Sequence, residues 1–347
     1  MARRKSNSAA PTMVDVARLA DVSPQTVSRV LNDYEFIKQD TRDRVWRAVD
    51  SLDYRPNVAA RTLVTRRSRT IGVVATDYMS FGPANVVWAV EKAARDAGYS
   101  VSVVSLGEST FSAIRGALER LVSQSVDGIV MIAPQDASTH AAFESFNHVP
   151  VVTMGSVDSD GPRPVMLDSV EGSRTATTHL IDLGHRDIAH LGGDDDEGLN
   201  RRVPEDRRSG FLAAMRAASV PVPDDRLLSG HFSLPASRDV MNEFFARPGP
   251  RPTAVFASSD EMAIGTILAA GDSGLNVPRD VSVIGIDNHD LAESFGLTTM
   301  AQDPYEHGER GARILLDELA NGPKARATSL RAKAELLVRN STARPPH

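Results

Sequence analysis

Val14-Asp15-Val16-Ala17-Arg18-Leu19-Ala20-Asp21-Val22-Ser23-Pro24-Gln25-Thr26-Val27-Ser28-Arg29-Val30-Leu31-Asn32 is a run with two helical stripes and a corner between them. Val16, Ala17 and Ala20 share one face, and Val27, Val30 and Leu31 another, at the three- and four-residue spacing of amphipathic helices. Asp21-Val22-Ser23 is the turn, with Val22 plugging the corner. Ser23 stands as N-cap and Pro24 at the first helical position, where its missing N–H costs nothing. A third stripe, Val45, Ala48, Val49 and Leu52, ends before Pro56. The spacing therefore predicts a three-helix head in helix-turn-helix order, without strands.

A helix-turn-helix lays its second helix in the major groove of DNA with its first residues at the base edges. Gln25 and Arg29 are four apart and share a face. Glutamine can pair with adenine N6/N7 and arginine with guanine O6/N7, both in bidentate fashion, so these two are the candidates for direct readout. Thr26, Ser28 and Asn32 offer hydroxyl and amide donors to phosphate oxygens, which fix register without carrying sequence information. An ordinary three-helix packing unit would also present polar outer faces, so two side chains do not decide the matter.

Charge points the same way. The chain of 347 residues has a net charge of −6, yet its first 68 residues hold thirteen Lys/Arg against eight Asp/Glu, a balance of +5 that leaves −11 on the remainder. A basic head on an acidic body fits a short segment that meets a polyanion. The length and the 41% apolar content suit about two globular domains and a small third. No run approaches the ~18 apolar residues of a membrane helix, and the basic, serine-rich start lacks the apolar core of a signal peptide, so a cytoplasmic protein is expected. Zero cysteines exclude disulfides, thiolate metal sites and cysteine nucleophiles.

After about Thr70 the rhythm changes. Ile71–Ala75, Val101–Val104, Gly128–Ile132, Pro150–Thr153, Ile188–Leu191, Ala254–Ala257 and Val281–Ile286 are short β-branched runs that read as buried parallel strands. Helical patterns over Val86–Ala97, Ala113–Ser123, Ser173–Leu183, Arg207–Ala218, Pro235–Phe245 and Glu261–Gly271 alternate with them, and Gly98, Gly184 and Gly274 follow in the C-cap manner. Alternation of this kind predicts an α/β body of two doubly wound lobes, with the ligand cleft beyond the carboxyl ends of the strands. Enzyme readings have little to rest on: there is no Gly-x-Ser-x-Gly elbow, no Walker-A loop, no His-Glu-x-x-His and no Gly-x-Gly-x-x-Gly after a strand. The acidic run Asp194–Glu197 lacks the spacing of a calcium loop, so neither metal nor cofactor is expected.

Val14-Asp15-Val16-Ala17, Ala20–Ser23, Thr26–Asn32, Thr41-Arg42, Tyr54-Arg55-Pro56-Asn57 and Ala60-Arg61-Thr62-Leu63 resemble the head of the lac repressor/galactose repressor (LacI/GalR) family of bacterial transcription regulators. The resemblance continues through Leu183–Arg186, Arg207 with Gly210-Phe211, Arg251–Phe256, Asp260–Ala263, Ile284–Asp287 and Leu336–Arg339. It implies a helix-turn-helix domain over 12–56, a hinge over 57–69 and a periplasmic-binding-protein-like body over 70–340. The first lobe would take about 70–167 plus 298–325, and the second about 168–297 plus 326–340. Two departures stand in the head: Asp21 replaces the usual glycine of the turn, which aspartate tolerates, and Lys38 replaces the usual serine or threonine cap of the third helix.

Asn57–Thr65 is nine residues long, shorter than a helix that holds alone in water. The resemblance implies that two copies of this hinge pair in the minor groove of a pseudo-palindromic operator, with Asn57 and Ala60 at the DNA and Leu63 wedged between base pairs. It also implies a small effector in the cleft, clamped by Arg207, met by Asp287 at a strand end and covered by Phe232, with Ser259, Arg201, Asp77 and Phe81 as further contacts. Guanidinium, carboxylate and aromatic face together suit a sugar or small polyol. Gly155 stands where many relatives carry an aspartate, so a hydroxyl contact used by others is missing or supplied from elsewhere. The purine-responsive member has an adjacent aromatic pair after the first strand and a threonine where this chain has Val203, so the sequence favours a carbohydrate and keeps a nucleoside or purine as the alternative. A two-lobed solute-binding protein without regulatory role is the other alternative, against which the head argues. Only eight residues follow Arg339, too few for a heptad-repeat tail, so a homodimeric repressor is expected.

Overall fold

The computed structural model describes residues 11–31, 34, 36–55, 67–76, 80–107, 110–132, 142–143, 145–146, 148–156, 164–193, 202–322, 330–332 and 334–346. It divides into two compact units, Met1–Ser68 and Arg69–His347.

The first unit holds α1 (Met13–Ala20), α2 (Pro24–Leu31) and α3 (Gln39–Leu52) around a core of Val16, Ala17, Ala20, Val27, Val30, Val45, Ala48, Val49 and Tyr54. Thr12 and Asp15 form a capping box that starts α1. Asp21 ends α1 in the left-handed region at φ 52°, the conformation the turn requires. The Ser23 hydroxyl then accepts the Thr26 N–H at 3.1 Å and opens α2. Lys38 gives α3 no side-chain cap, and Asp40 in the first turn complements the helix dipole instead.

The second unit contains two sheets, each of six strands. In the first lobe β1 (Thr70–Thr76), β2 (Ser100–Leu106), β3 (Gly128–Ile132), β4 (Val151–Ser156) and β5 (Val165–Leu167) alternate with α4 (Phe81–Asp96) and α5 (Phe111–Ser123). The second lobe follows as α6 (Ser169–Asp182), β6 (Ile188–Gly192), α7 (Arg202–Ala217), β7 (Leu227–Ser229), α8 (Leu234–Ala246), β8 (Ala254–Ala257), α9 (Asp260–Asp272), β9 (Ser282–Ile286) and β10 (Thr298–Ala301). The chain then returns as α10 (Pro304–Asn321), β11 (Leu330–Ala332) and β12 (Glu335–Leu337). The strand orders are β11-β5-β4-β3-β1-β2 and β12-β10-β9-β8-β6-β7, with all pairs parallel except β10–β12. Every residue of β3, β6, β8 and β9 is buried, as strands covered by helices on both faces must be.

Two boundaries differ from expectation. Strand β10 was expected in the first lobe, but it pairs with β9, so the crossing falls after it, at Gln302-Asp303. Segment 330–332 was expected in the second lobe, but β11 pairs with β5 in the first. Pairing is a long-range choice that an apolar run does not advertise. Helix α10, absent from the expected helices, packs on α4, β3 and β4, burying Pro304, His307, Gly308, Gly311, Ala312 and Leu315, a stripe of mostly small residues.

Candidate functional site

In the head, burial of Val27 and Val30 turns the opposite face of α2 outward, leaving Gln25 and Arg29 exposed on one side, with Thr26 and Ser28 half-buried at its flanks. Ser23 and Pro24 are exposed at its start. The Thr26 hydroxyl lies 2.9 Å from the Ser23 hydroxyl. Asn32, Asn57, Ala60 and Leu63 lie outside the described residues.

In the body, the polar cluster forms beyond the carboxyl ends of β6, β8, β9 and β10, across the point where the strand order reverses between β8, β6 and β7. This is where doubly wound sheets leave a crevice, because the connections on either side depart to opposite faces. Arg207, on the second turn of α7, is its centre. Its Nη2 donates to Asp287 Oδ1 at 2.9 Å and to Gln302 Oε1 at 3.1 Å, and its Nη1 donates to the Ser258 carbonyl. The side chains of the ion pair are only 8% and 14% exposed. Among the described residues, Arg207 Nε and Gln302 Nε2 are buried without a hydrogen-bond partner, the latter 2.9 Å from where a Cβ on Gly172 would stand.

Asp287 follows β9 with φ 117°, a backbone that costs a non-glycine residue about 1–3 kcal/mol and recurs at binding sites. Burial pushes its carboxyl above the ordinary range while the Arg207 charge opposes the rise. Beneath it, Asp260 opens α9, accepting the Thr299 hydroxyl at 2.6 Å and the His289 N–H at 2.8 Å. Burial, and then the neighbouring Asp287 charge, push Asp260 up to about 8. His190 on β6 meets the Ser258 hydroxyl at 2.9 Å and stacks on Phe211 at 5.0 Å, and burial depresses it to about 3, so it is neutral.

Phe232 lies with its ring centroid 6.0 Å from the Arg207 guanidinium carbon. Its φ of 48° throws the ring back over Gly193, where a Cβ would fall 2.1 Å from ring carbon Cε2. Only glycine leaves that space. From the first lobe, Phe81 at the start of α4 meets the His289 ring with centroids 4.4 Å apart, joining the two lobes across the cleft.

Of the expected effector contacts, Arg207, Asp287 and Phe232 come together. Phe81 reaches the same loop through His289. Ser259 does not join Arg207: its hydroxyl caps α9, accepting the Met262 N–H at 3.2 Å, and the neighbouring Ser258 supplies the contact. Arg201 and Asp77 lie outside the described residues. The sequence reading missed Gln302, Asp260, Ser258, His190 and His289. Asp260 alone left a signal, as a carboxylate at the first position of a helix after a buried strand.

A two-lobed α/β body with a polar cluster at a sheet crossover, carried with a helix-turn-helix head, defines a ligand-responsive DNA-binding regulator. The comparisons agree. A family model described as bacterial regulatory proteins, lacI family, matches residues 12–57, and one described as periplasmic binding protein-like domain matches 177–342. The HTH-type transcriptional repressor PurR of Salmonella arizonae is 34% identical over 340 residues, covering 96% of this chain and 98% of that protein. PurR of an Escherichia coli O139:H28 strain is similar to the same extent. Among solved structures, the lac repressor dimer bound to operator and the anti-inducer ONPF aligns with TM-score 0.84 and 28% identity, covering 96% of this chain and all of that one. The regulator CelR in complex with cellobiose aligns with TM-score 0.67 and 29% identity over 95% of this chain and 99% of that one.

The chain belongs to the LacI family, and it is a DNA-binding transcriptional repressor controlled by an effector ligand rather than an enzyme. No helix among the described residues is long and apolar enough to cross a membrane.

Proposed function

We propose that this repressor acts in the cytoplasm as a homodimer on a pseudo-palindromic operator, and that a small ring compound in the Arg207 cluster sets its affinity. Gln25 and Arg29 read base edges, while Ser23, Pro24, Thr26, Ser28 and Asn32 follow the phosphates. The hinge around Asn57, Ala60 and Leu63 folds only in the minor groove, so effector and operator alter each other's affinity by one factor.

Between the two effector classes, the purine base takes precedence over the carbohydrate expected from the sequence. The observation that carries this is the flat Phe232 ring 6.0 Å from the Arg207 guanidinium, whose Nε is buried without a hydrogen-bond partner among the described residues. An unpaired donor calls for an acceptor, which a heteroaromatic ring offers in its plane while the phenyl ring covers its face. Asp287 already binds Arg207, Asp260 is engaged by Thr299 and His289, and Gly155 contributes no further acceptor for sugar hydroxyls. The likeness to the PurR repressors favours the same class. Val203, and the likeness to the CelR–cellobiose complex, favour a carbohydrate as the second reading.

Thermal melting of the full chain with purine bases, nucleosides, monosaccharides and disaccharides tests this, because a ligand of the native state raises the melting temperature. A rise with a purine base is expected. A rise with saccharides alone refutes the purine in favour of the carbohydrate, and no rise with any class refutes a ring-compound pocket.

A further inference from the structure

Arg29 is bound to a ring that the function has not yet used. Tyr34, just beyond α2, lies under the guanidinium, whose carbon is 5.4 Å from the ring centroid. The backbone of Tyr34 is fixed at both ends: its N–H donates to the Arg29 carbonyl at 3.0 Å, and its own carbonyl accepts from Arg42 Nη2 of α3 at 3.1 Å. Phe36 braces the ring edge-on, with centroids 6.1 Å apart and planes at 65°. Tyr34 is 49% exposed, so it is no member of the core that holds the three helices together. Among the described residues Arg29 forms no ion pair, and the Tyr34 ring is the partner that restrains its charged end.

We propose that Tyr34 is a positioning residue for base readout, holding the Arg29 guanidinium over its ring so that the side chain is ordered before the operator arrives. The inference rests on the reading that Arg29 recognises a base. A free arginine must give up rotamer freedom to make a bidentate bond to guanine O6/N7, and ordering it beforehand lowers that cost. A cation over a π face is attracted by its charge, not through a particular N–H, so the donors remain available to a base edge. Tyr34 thereby contributes to specificity without touching the base. The signal lies partly in sequence, as an aromatic five residues after an arginine, but only the fold of the loop back onto α2 brings the two together.

The test uses the full-length chain and an operator selected from a pool of random duplexes, with each base pair then varied in equilibrium competition. Arg29→Ala is expected to flatten the preference at one base pair. Tyr34→Ala is expected to reduce the preference at that same pair by about three- to fivefold, the size of an exposed cation–π contact. Tyr34→Phe keeps the ring and retains the preference. In the Arg29→Ala background, Tyr34→Ala has no further effect on it. Three results would overturn the proposal: equal losses on all sequences, the same effect of Tyr34→Ala in both backgrounds, or Tyr34→Phe behaving like Tyr34→Ala, which would identify a hydroxyl contact to phosphate. If Arg29→Ala itself leaves every base preference intact, base readout by Arg29 fails first and the inference falls with it. Melting of each variant confirms that the exposed ring is dispensable for folding.

Discussion

Replacing Arg207 by alanine removes the cation from a pair whose side chains are 8% and 14% exposed and whose atoms lie 2.9 Å apart. The carboxylate of Asp287 is left buried without a partner, and the Ser258 carbonyl and Gln302 amide oxygen lose their donor as well. Breaking a buried pair from one side costs roughly 3–5 kcal/mol, most of it the penalty of the stranded charge. Urea unfolding of the body should report a loss of that order at neutral pH. Adding Asp287→Ala should return half or more of it, because the stranded charge is gone. The pH dependence has a definite sign. Burial already raises Asp287 and Arg207 opposes the rise, so its loss raises the carboxyl further. A folded-state pKa above the unfolded value favours the native state at low pH and loses that stability as pH rises, so the deficit of Arg207→Ala should be larger near about pH 8 than near about pH 5. A double variant as unstable as the sum of the two single ones, or a deficit independent of pH, would refute the coupling described here.

Gly193→Ala inserts a methyl group where Phe232 stands 2.1 Å away, and should weaken effector binding at least tenfold in titration calorimetry while leaving operator affinity without effector unchanged. Asp260, raised from 3.8 to about 8, makes the native state hold a proton that the unfolded chain releases, so wild-type stability should fall between about pH 4 and about pH 8, by at most ~1.4 kcal/mol per pH unit from this group. Asp260→Asn, which mimics the protonated acid towards Thr299 and His289, should flatten that slope in urea unfolding at stepped pH. Leu63→Ala should reduce operator bending and affinity without affecting effector binding, and unchanged bending in a phased gel-shift assay would refute the wedge.

The head was largely legible in the sequence because its determinants are local. The stripe Val27, Val30, the cap Ser23 and the left-handed Asp21 act within one or two turns of chain, and the structure contains each where periodicity puts it. The seven expected strands are likewise strands, and β3, β6, β8 and β9 are buried throughout as residues covered on both faces must be, whereas β2, also expected to be buried, is a sheet edge with Val103 42% exposed. The strands β5, β7, β10, β11 and β12 were not expected, since three residues carry too few periods to register and β10, Thr298–Ala301, opens with two threonines instead of an apolar run. In the polar cluster, Arg207, Asp287 and Phe232 were reached by resemblance, whereas Gln302 was invisible: a glutamine between a strand and a helix has no local mark of its contact with Arg207.

The amino-acid order by itself thus determined the classes of element, the two-part division and the exposed face of α2, because capping, turn chemistry and hydrophobic period depend on neighbours along the chain. Which strands pair, where the chain crosses between lobes, and that Ser258, Asp287 and Gln302 converge on Arg207 were decided only by tertiary structure. Those contacts join residues 51, 80 and 95 positions apart. Their energy exists only once the sheet is assembled, and burial, which raises Asp260 and Asp287, is a property of the whole body and of no segment within it.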